Sequence, residues 1–238
     1  MRLRPTTALV GLAVLGAVVT NPMSAGAAQS AKQLVTNAIA ATKSASAVHI
    51  QGSVSMSNET VALDVQASNS SSGQGSVTIN GANVQIVQIG SRVYFNADAA
   101  FWKMEAGASA AQLAGKWIYT SASGSDGKDF SMFINCSALL KQLLSGSKVK
   151  GSTFTLGKNT TVNGVPVYAV SGLDASAGTG GTAYIARSGK PYLIELKTSG
   201  SGGAGEITFS AYNQVIHPSA PKKSYSLTQL EHQATASG

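Results

Sequence analysis

The chain has 238 residues, with 17 Lys or Arg against 10 Asp or Glu and a formal charge of +7. Only 11% of residues are charged, against a usual quarter, and Gly, Ser, Ala, Thr and Val fill the difference. The positive balance suits an anionic envelope polymer or lipid headgroup, whereas scattered lysines without an Arg/aromatic stripe argue against nucleic acid.

The first segment reads as a targeting signal. Arg2 and Arg4 are followed by an apolar run from Thr7 to Thr20, then Pro22 and the small residues Ser24-Ala25-Gly26-Ala27-Ala28. Ala25 and Ala27 satisfy an A-x-A rule, which places cleavage after Ala27, with Ala28 as the alternative. The run is shorter than the roughly 20 residues that span a bilayer, so a retained anchor is the weaker reading. No L-x-[AG]-C lipobox closes the signal, which argues against lipidation of an N-terminal cysteine. Removing residues 1–27 leaves 211 residues and a charge of about +5. The expected product is secreted or extracytoplasmic. Residues 28–222 are expected to form one domain, and residues 223–238 a partly disordered tail.

Ser30 is placed to cap a helix running to about Ser44, with Leu34, Val35, Ala38 and Ile39 on one side. The period then changes to two. Val48, Ile50, Val54 and Met56 alternate with polar residues, as do Val61, Leu63, Val65 and Ala67. Such ribbons are antiparallel strands with one dry and one wet face. Asn69–Gly75 reads as a polar turn, after which Val77-Thr78-Ile79 resumes the ribbon. Asn80-Gly81 is a strong hairpin signal, because both residues tolerate positive φ. Val84–Ile89 and Val93–Phe95 complete a meander.

Residues 97–116 read as two short helices carrying Phe101 and Trp102, and 117–120 as a strand starting at Trp117. Ser121–Asp129 reads as a loop, followed by a helical region that includes Ser137–Leu144 with Leu139 and Leu143. Strands return at about 150–156 and 161–171, at Thr182–Ala186 and Tyr192–Lys197, and at Glu206–Tyr212. The tail from His217 is extended, with a helical turn near Leu227–His232. So many sequential antiparallel strands favour a strongly curved sheet or open barrel, with the few helices across its concave side.

In this order, the blocks TKSASAVHIQGSV, VYFNADAAFWK, LAGKWIYT, TVNGVPVYAV, GTAYIARSGKPYLIEL and EITFSAYNQ resemble the actinobacterial LppX/LprG-type lipoproteins of the LolA-like half-barrel superfamily. The resemblance covers residues 30–222. It implies an α+β half-barrel, a strongly curved antiparallel sheet with helices packed on the concave face around an apolar cavity. It also implies a non-enzymatic carrier of acyl chains of an envelope lipid or lipoglycan. The chain departs from that pattern at Ser24–Ala28, where such proteins begin at a lipidated Cys. That departure favours a soluble or wall-associated form with peripheral membrane or cell-wall contact.

The expected cavity lining is Val48, Ile50, Val54, Met56, Leu63, Val65, Ile79, Phe101, Trp102, Trp117, Leu139 and Leu143, for each of which ordinary core packing is the competing reading. Phe101, Trp102 and Trp117 are read as its lid. Lys103, Lys116 and Lys141 are candidates to meet an anionic headgroup. Catalytic signals are weak. His49, His217 and His232 lack a local partner, and no metal-ligand spacing or clustered carboxylates occur. Ser125–Lys128 and Ser145–Lys148 fit S-x-x-K, but no S-D-N follows, and Lys197-Thr198-Ser199-Gly200 only approximates K-T-G. The glycines at 178–181 read as a turn. Four N-x-[ST] matches arise from the Ser/Thr content. Cys136, the single cysteine, sits among Phe133, Ile134, Leu139 and Leu140 and reads as a buried thiol with no disulfide partner in the chain. No catalytic residue, metal or cofactor is expected, and the protein is expected to be a monomer. The alternative is an envelope protein-interaction or sensor module on the same fold with a filled core.

Overall fold

A computed structural model describes residues 29–56, 59–144, 153–174, 179–200 and 203–230. The leader segment, the Ser145–Lys148 motif, Gly178 and His232 lie outside the described residues. The first helix, α1 (Ala31–Lys43), starts where expected. Ser30 Oγ accepts from the Gln33 N–H while Gln33 Oε1 accepts from the Ser30 N–H, a reciprocal capping box.

Five strands follow: β1 (Ala47–Met56), β2 (Glu59–Ser68), β3 (Ser72–Ile79), β4 (Ala82–Ile89) and β5 (Arg92–Ala97). Asn80 (φ 51°) and Gly81 (φ 86°) form the β3–β4 turn with the two positive φ values expected. Helix α2 (Ala99–Ala106) and a 3-10 helix (Ala108–Leu113) lead to β6 (Trp117–Ser121). Helices α3 (Ser125–Ile134) and α4 (Cys136–Leu143) come next, then β7 (Thr153–Leu156), β8 (Thr160–Val162), β9 (Val165–Asp174), β10 (Thr179–Ala186), β11 (Leu193–Gly200), β12 (Ala204–Ser210) and β13 (Tyr225–Ser226).

The thirteen strands among the described residues join one open, curved sheet in the order β13-β6-β5-β4-β3-β2-β1-β12-β11-β10-β9-β7, with β8 also on β9. Every pairing among them is antiparallel except that of β13 with β6. The later half thus returns so that β12 lies beside β1, and the two meanders share one sheet. The fold is α+β, as expected. Helices α3 and α4 cover the inner face of β2–β6, and α1 covers β7, β10 and β11. Side chains from the helices and the inner sheet face form one apolar cluster. The tail does more than extend: β13 pairs with the edge of β6, and Leu227 is buried in that cluster.

Curvature follows from residues without side chains on the inner face. A Cβ at Gly75 would fall inside contact with the Asp64 carbonyl oxygen and the Val65 backbone, and one at Gly52 would strike the Glu206 carbonyl. Only glycine lets adjacent strands coil this closely on their concave side. This explains one departure from expectation. The segment Asn69–Gly75 is a turn only through Ser71, and β3 begins at Ser72. Its Ser-Gly-Gln-Gly start has no β-branched residue because the sheet bends there.

A second departure is α3, which begins at Ser125 within an expected loop. Gly127 conceals it, since glycine weakens a helical pattern, yet a side chain at 127 would collide with the Ser121 carbonyl. Asn135 (φ −84°, ψ 112°) ends α3, and its side chain caps α4 by accepting the Ala138 N–H at 2.8 Å.

The Gly75→Val chain is expected to lose roughly 3 kcal/mol of stability or to fail to fold, whereas Gly→Ala at the open turn position 81 costs less. Urea denaturation followed by far-UV circular dichroism measures the difference.

Candidate functional site

The inner face divides into two parts. Over β2–β6 it is filled. Phe95 stacks on Phe130 of α3 with centroids 4.4 Å apart, Phe101 meets Trp102 edge-on at 5.6 Å, and Leu139, Leu140 and Leu143 of α4 complete the layer. Val48, Ile50, Leu63, Val65, Phe101, Trp102, Leu139 and Leu143 are all buried in this one cluster. The indole Nε1 of Trp102 is buried there without a hydrogen-bond partner, a state that costs about 1–3 kcal/mol when nothing accepts from it.

Toward the ends of the strands beyond that layer, the inner face is thinner. One cross-strand row runs Ile79–Val61–Val54–Gly205–Thr198–Gly181–Gly172–Phe154 over eight strands. Ile79, Val61, Val54 and Phe154 are only partly buried at the margin of the core. Between Val54 and Phe154 the row carries three glycines and a threonine, so no bulky side chain rises from the sheet there. At ~4.8 Å per strand this row of small residues, termed the trough below, follows an arc of about 34 Å. Met56 continues the same strand phase, its side chain lying outside the described residues.

Trp117 is on the other face. It pairs with Asn96, whereas the next pair, Phe95 with Ile118, points inward. Trp117 therefore does not meet Phe101 and Trp102, and the three aromatics do not form one lid. A strand that follows a turn of unknown geometry can present either face, and sequence alone left that choice open. On the outer face, Trp117 borders an open groove of about 360 Å³ with Asp64, Gln66, Gln74, Gln85 and Val87. Lys103, Lys116 and Lys141 are exposed on α2, before β6 and on α4, three separate elements.

His49 has a partner that sequence reasoning missed. Its Nε2 lies 2.7 Å from Asp64 Oδ1, and its Nδ1 is 3.5 Å from Ser210 Oγ. Asp64 is fifteen residues away in sequence, and it is a near neighbour only through the β1–β2 hairpin register, where His49 faces Gln66. The cluster has the composition of a nucleophile-activating triad. It lies on the adjacent strands β2, β1 and β12, with Ser210 at the end of β12, and its Ser210–His49 contact is long. Ser125 and Lys128 are exposed on the first turn of α3. Lys197 bridges Glu195 and Glu206 at 2.7 and 3.0 Å on the outer face. Among the described residues no group of His, Cys, Asp and Glu is arranged to hold a metal ion.

These features define a class by architecture: an open antiparallel half-barrel whose inner face is apolar and partly covered by helices. No protein-family model and no curated protein matches the chain. Among solved structures it is similar to the lipoprotein LppX of Mycobacterium tuberculosis, at 14% identity over 79% of this chain and 98% of that one, with a TM-score of 0.51. It also aligns with LprF from Mycobacterium bovis at 16% identity over 80% and 96% of the two chains, with a TM-score of 0.47. At such identity the likeness to LppX shows the fold alone. Among the described residues no helix is long and apolar enough to cross a membrane.

Cys136 is buried, with Sγ 3.4 Å from the Ala45 carbonyl oxygen, and burial pushes its pKa up from 9.0 to about 11. The folded chain therefore holds a proton that the unfolded chain releases. The resulting contribution to stability is complete below about pH 9 and is lost as pH rises through 11. Ellman's reagent at pH 8 is expected to leave the native thiol unmodified and to titrate it fully in denaturant; rapid native reaction contradicts this burial.

Proposed function

We propose that this protein is an exported, non-catalytic carrier that holds acyl chains of an envelope lipid or lipoglycan against its inner sheet face. The observation that carries the reading is the trough from Ile79 to Phe154, apolar at both walls and free of bulky side chains along Gly205, Thr198, Gly181 and Gly172. An acyl chain needs burial rather than directional bonds. About ten methylenes removed from water contribute roughly 8 kcal/mol, which corresponds to micromolar binding before ordering costs. LppX, with which the chain shares its fold, is a lipoprotein. The basic leader with its Ala25-Gly26-Ala27 site supports export.

A second reading, a protein-interaction or sensor module with a filled core, is favoured by the solid layer of Phe95, Phe130, Phe101 and Trp102. Native mass spectrometry before and after solvent extraction separates the two. The carrier is expected to show lipid adducts that extraction removes and that Thr198→Trp, which fills the trough, lowers about tenfold at unchanged circular dichroism. Repeated absence of adducts, together with no uptake of added phospholipid or lipoglycan, overturns the carrier in favour of the module.

A further inference from the structure

The outer-face groove has a lining that suits neither an acyl chain nor a folded core. Its strands alternate so that Asp64, Gln66, Gln74, Gln85 and Trp117 project from β2, β3, β4 and β6 into one open depression of about 360 Å³. That size is at the lower end of small-ligand sites, about 300–1,000 Å³. Trp117 is partly buried, and no hydrogen bond within the described residues engages its indole N–H. Gln85 is exposed, and its amide is likewise unengaged. Gln66 and Gln74 meet only through a long 3.5 Å amide contact. Asp64 has one oxygen held by His49 and a side chain 55% exposed.

We propose that this groove is a saccharide-binding site for a neutral glycan. A pyranose ring has a flat C–H face that lies on an aromatic plane, edged by hydroxyls that both donate and accept. Trp117 supplies the plane. Each glutamine supplies two N–H donors and a carbonyl acceptor, and Asp64 supplies a further acceptor. Stripping three amides of water beneath an apolar ligand is costly, which disfavours a lipid tail here. The backbones of β3, β4 and β5 are paired on both sides, so no extended peptide adds to them. No lysine or arginine lines the groove, and Asp64 does, so an anionic sugar or phosphate meets a carboxylate there. The site lies on the face opposite the trough and does not depend on what the trough holds.

Affinity electrophoresis of the full mature chain tests this, in separate native gels containing glycogen, mannan or arabinogalactan, with polygalacturonate as an anionic control. Retardation is expected in at least one neutral gel. Both Trp117→Ala and the double variant Gln74→Ala/Gln85→Ala are expected to weaken it about tenfold or more. The glutamine variant leaves the aromatic contacts in place, so it decides the matter if loss of Trp117 perturbs folding by circular dichroism. Unretarded migration in all three neutral gels overturns the proposal. So does retardation that the glutamine variant leaves unchanged, or retardation in polygalacturonate alone, which reports only the net positive charge.

Discussion

Everything in this molecule depends on how closely β12, β1, β2 and β3 approach one another on their inner side. Gly52 and Gly75 sit where a single methyl group would collide with the neighbouring backbone. Their absence of side chains lets the sheet coil without breaking its ladders. Coiling separates two surfaces of different character. The inner face becomes short and crowded enough for the helices to cover much of it, and the outer face becomes long and wet. Neither the trough nor the groove exists without that bend.

The helices are tied to the sheet by a small number of specific contacts as well as by apolar packing. Thr42, buried at the end of α1, accepts the Leu193 N–H at 3.0 Å, while Tyr212, stacked on Tyr192 at 4.0 Å, donates to the Leu193 carbonyl at 2.6 Å. Burial keeps the Tyr212 hydroxyl protonated well above its ordinary range. At the same end, the Ser137 N–H donates to Asn69 Oδ1 and the Cys136 thiol to the Ala45 carbonyl. Two asparagines within N-x-[ST] matches, Asn69 and Asn135, thus have structural roles as acceptor and helix cap. The opposite end carries the half-buried Val54, Val61 and Ile79. Cohesion is thus concentrated at one end, and the other presents a thinner apolar surface.

Much of this was legible in residue order. The capped first helix, the alternating ribbons, the Asn80-Gly81 turn and the aromatic short helix are local signals, and local hydrogen bonding and periodicity decide them. The α3 start was not legible, because Gly127 serves a tertiary contact at the expense of helix propensity. The β3 start was hidden for the same reason, its glycines serving curvature. The candidate lining fared unevenly. Residues on a regular alternation, such as Val48, Ile50, Leu63 and Val65, fall on the inner face together. Trp117, isolated after a turn, does not.

By itself the sequence determined most of the strand and helix segments, which side chains prefer to be dry, and the antiparallel, curved character of the sheet. These follow from period, turn chemistry and composition, which act within a few residues. Only the tertiary structure decided that β12 lies beside β1, and it brought His49 to Asp64 and Ser210 across the strands. It also aligned Gly205, Gly181 and Gly172 into one row and turned Trp117 outward beside three glutamines. Those outcomes depend on strand order and register between segments up to 161 residues apart, which no local pattern encodes.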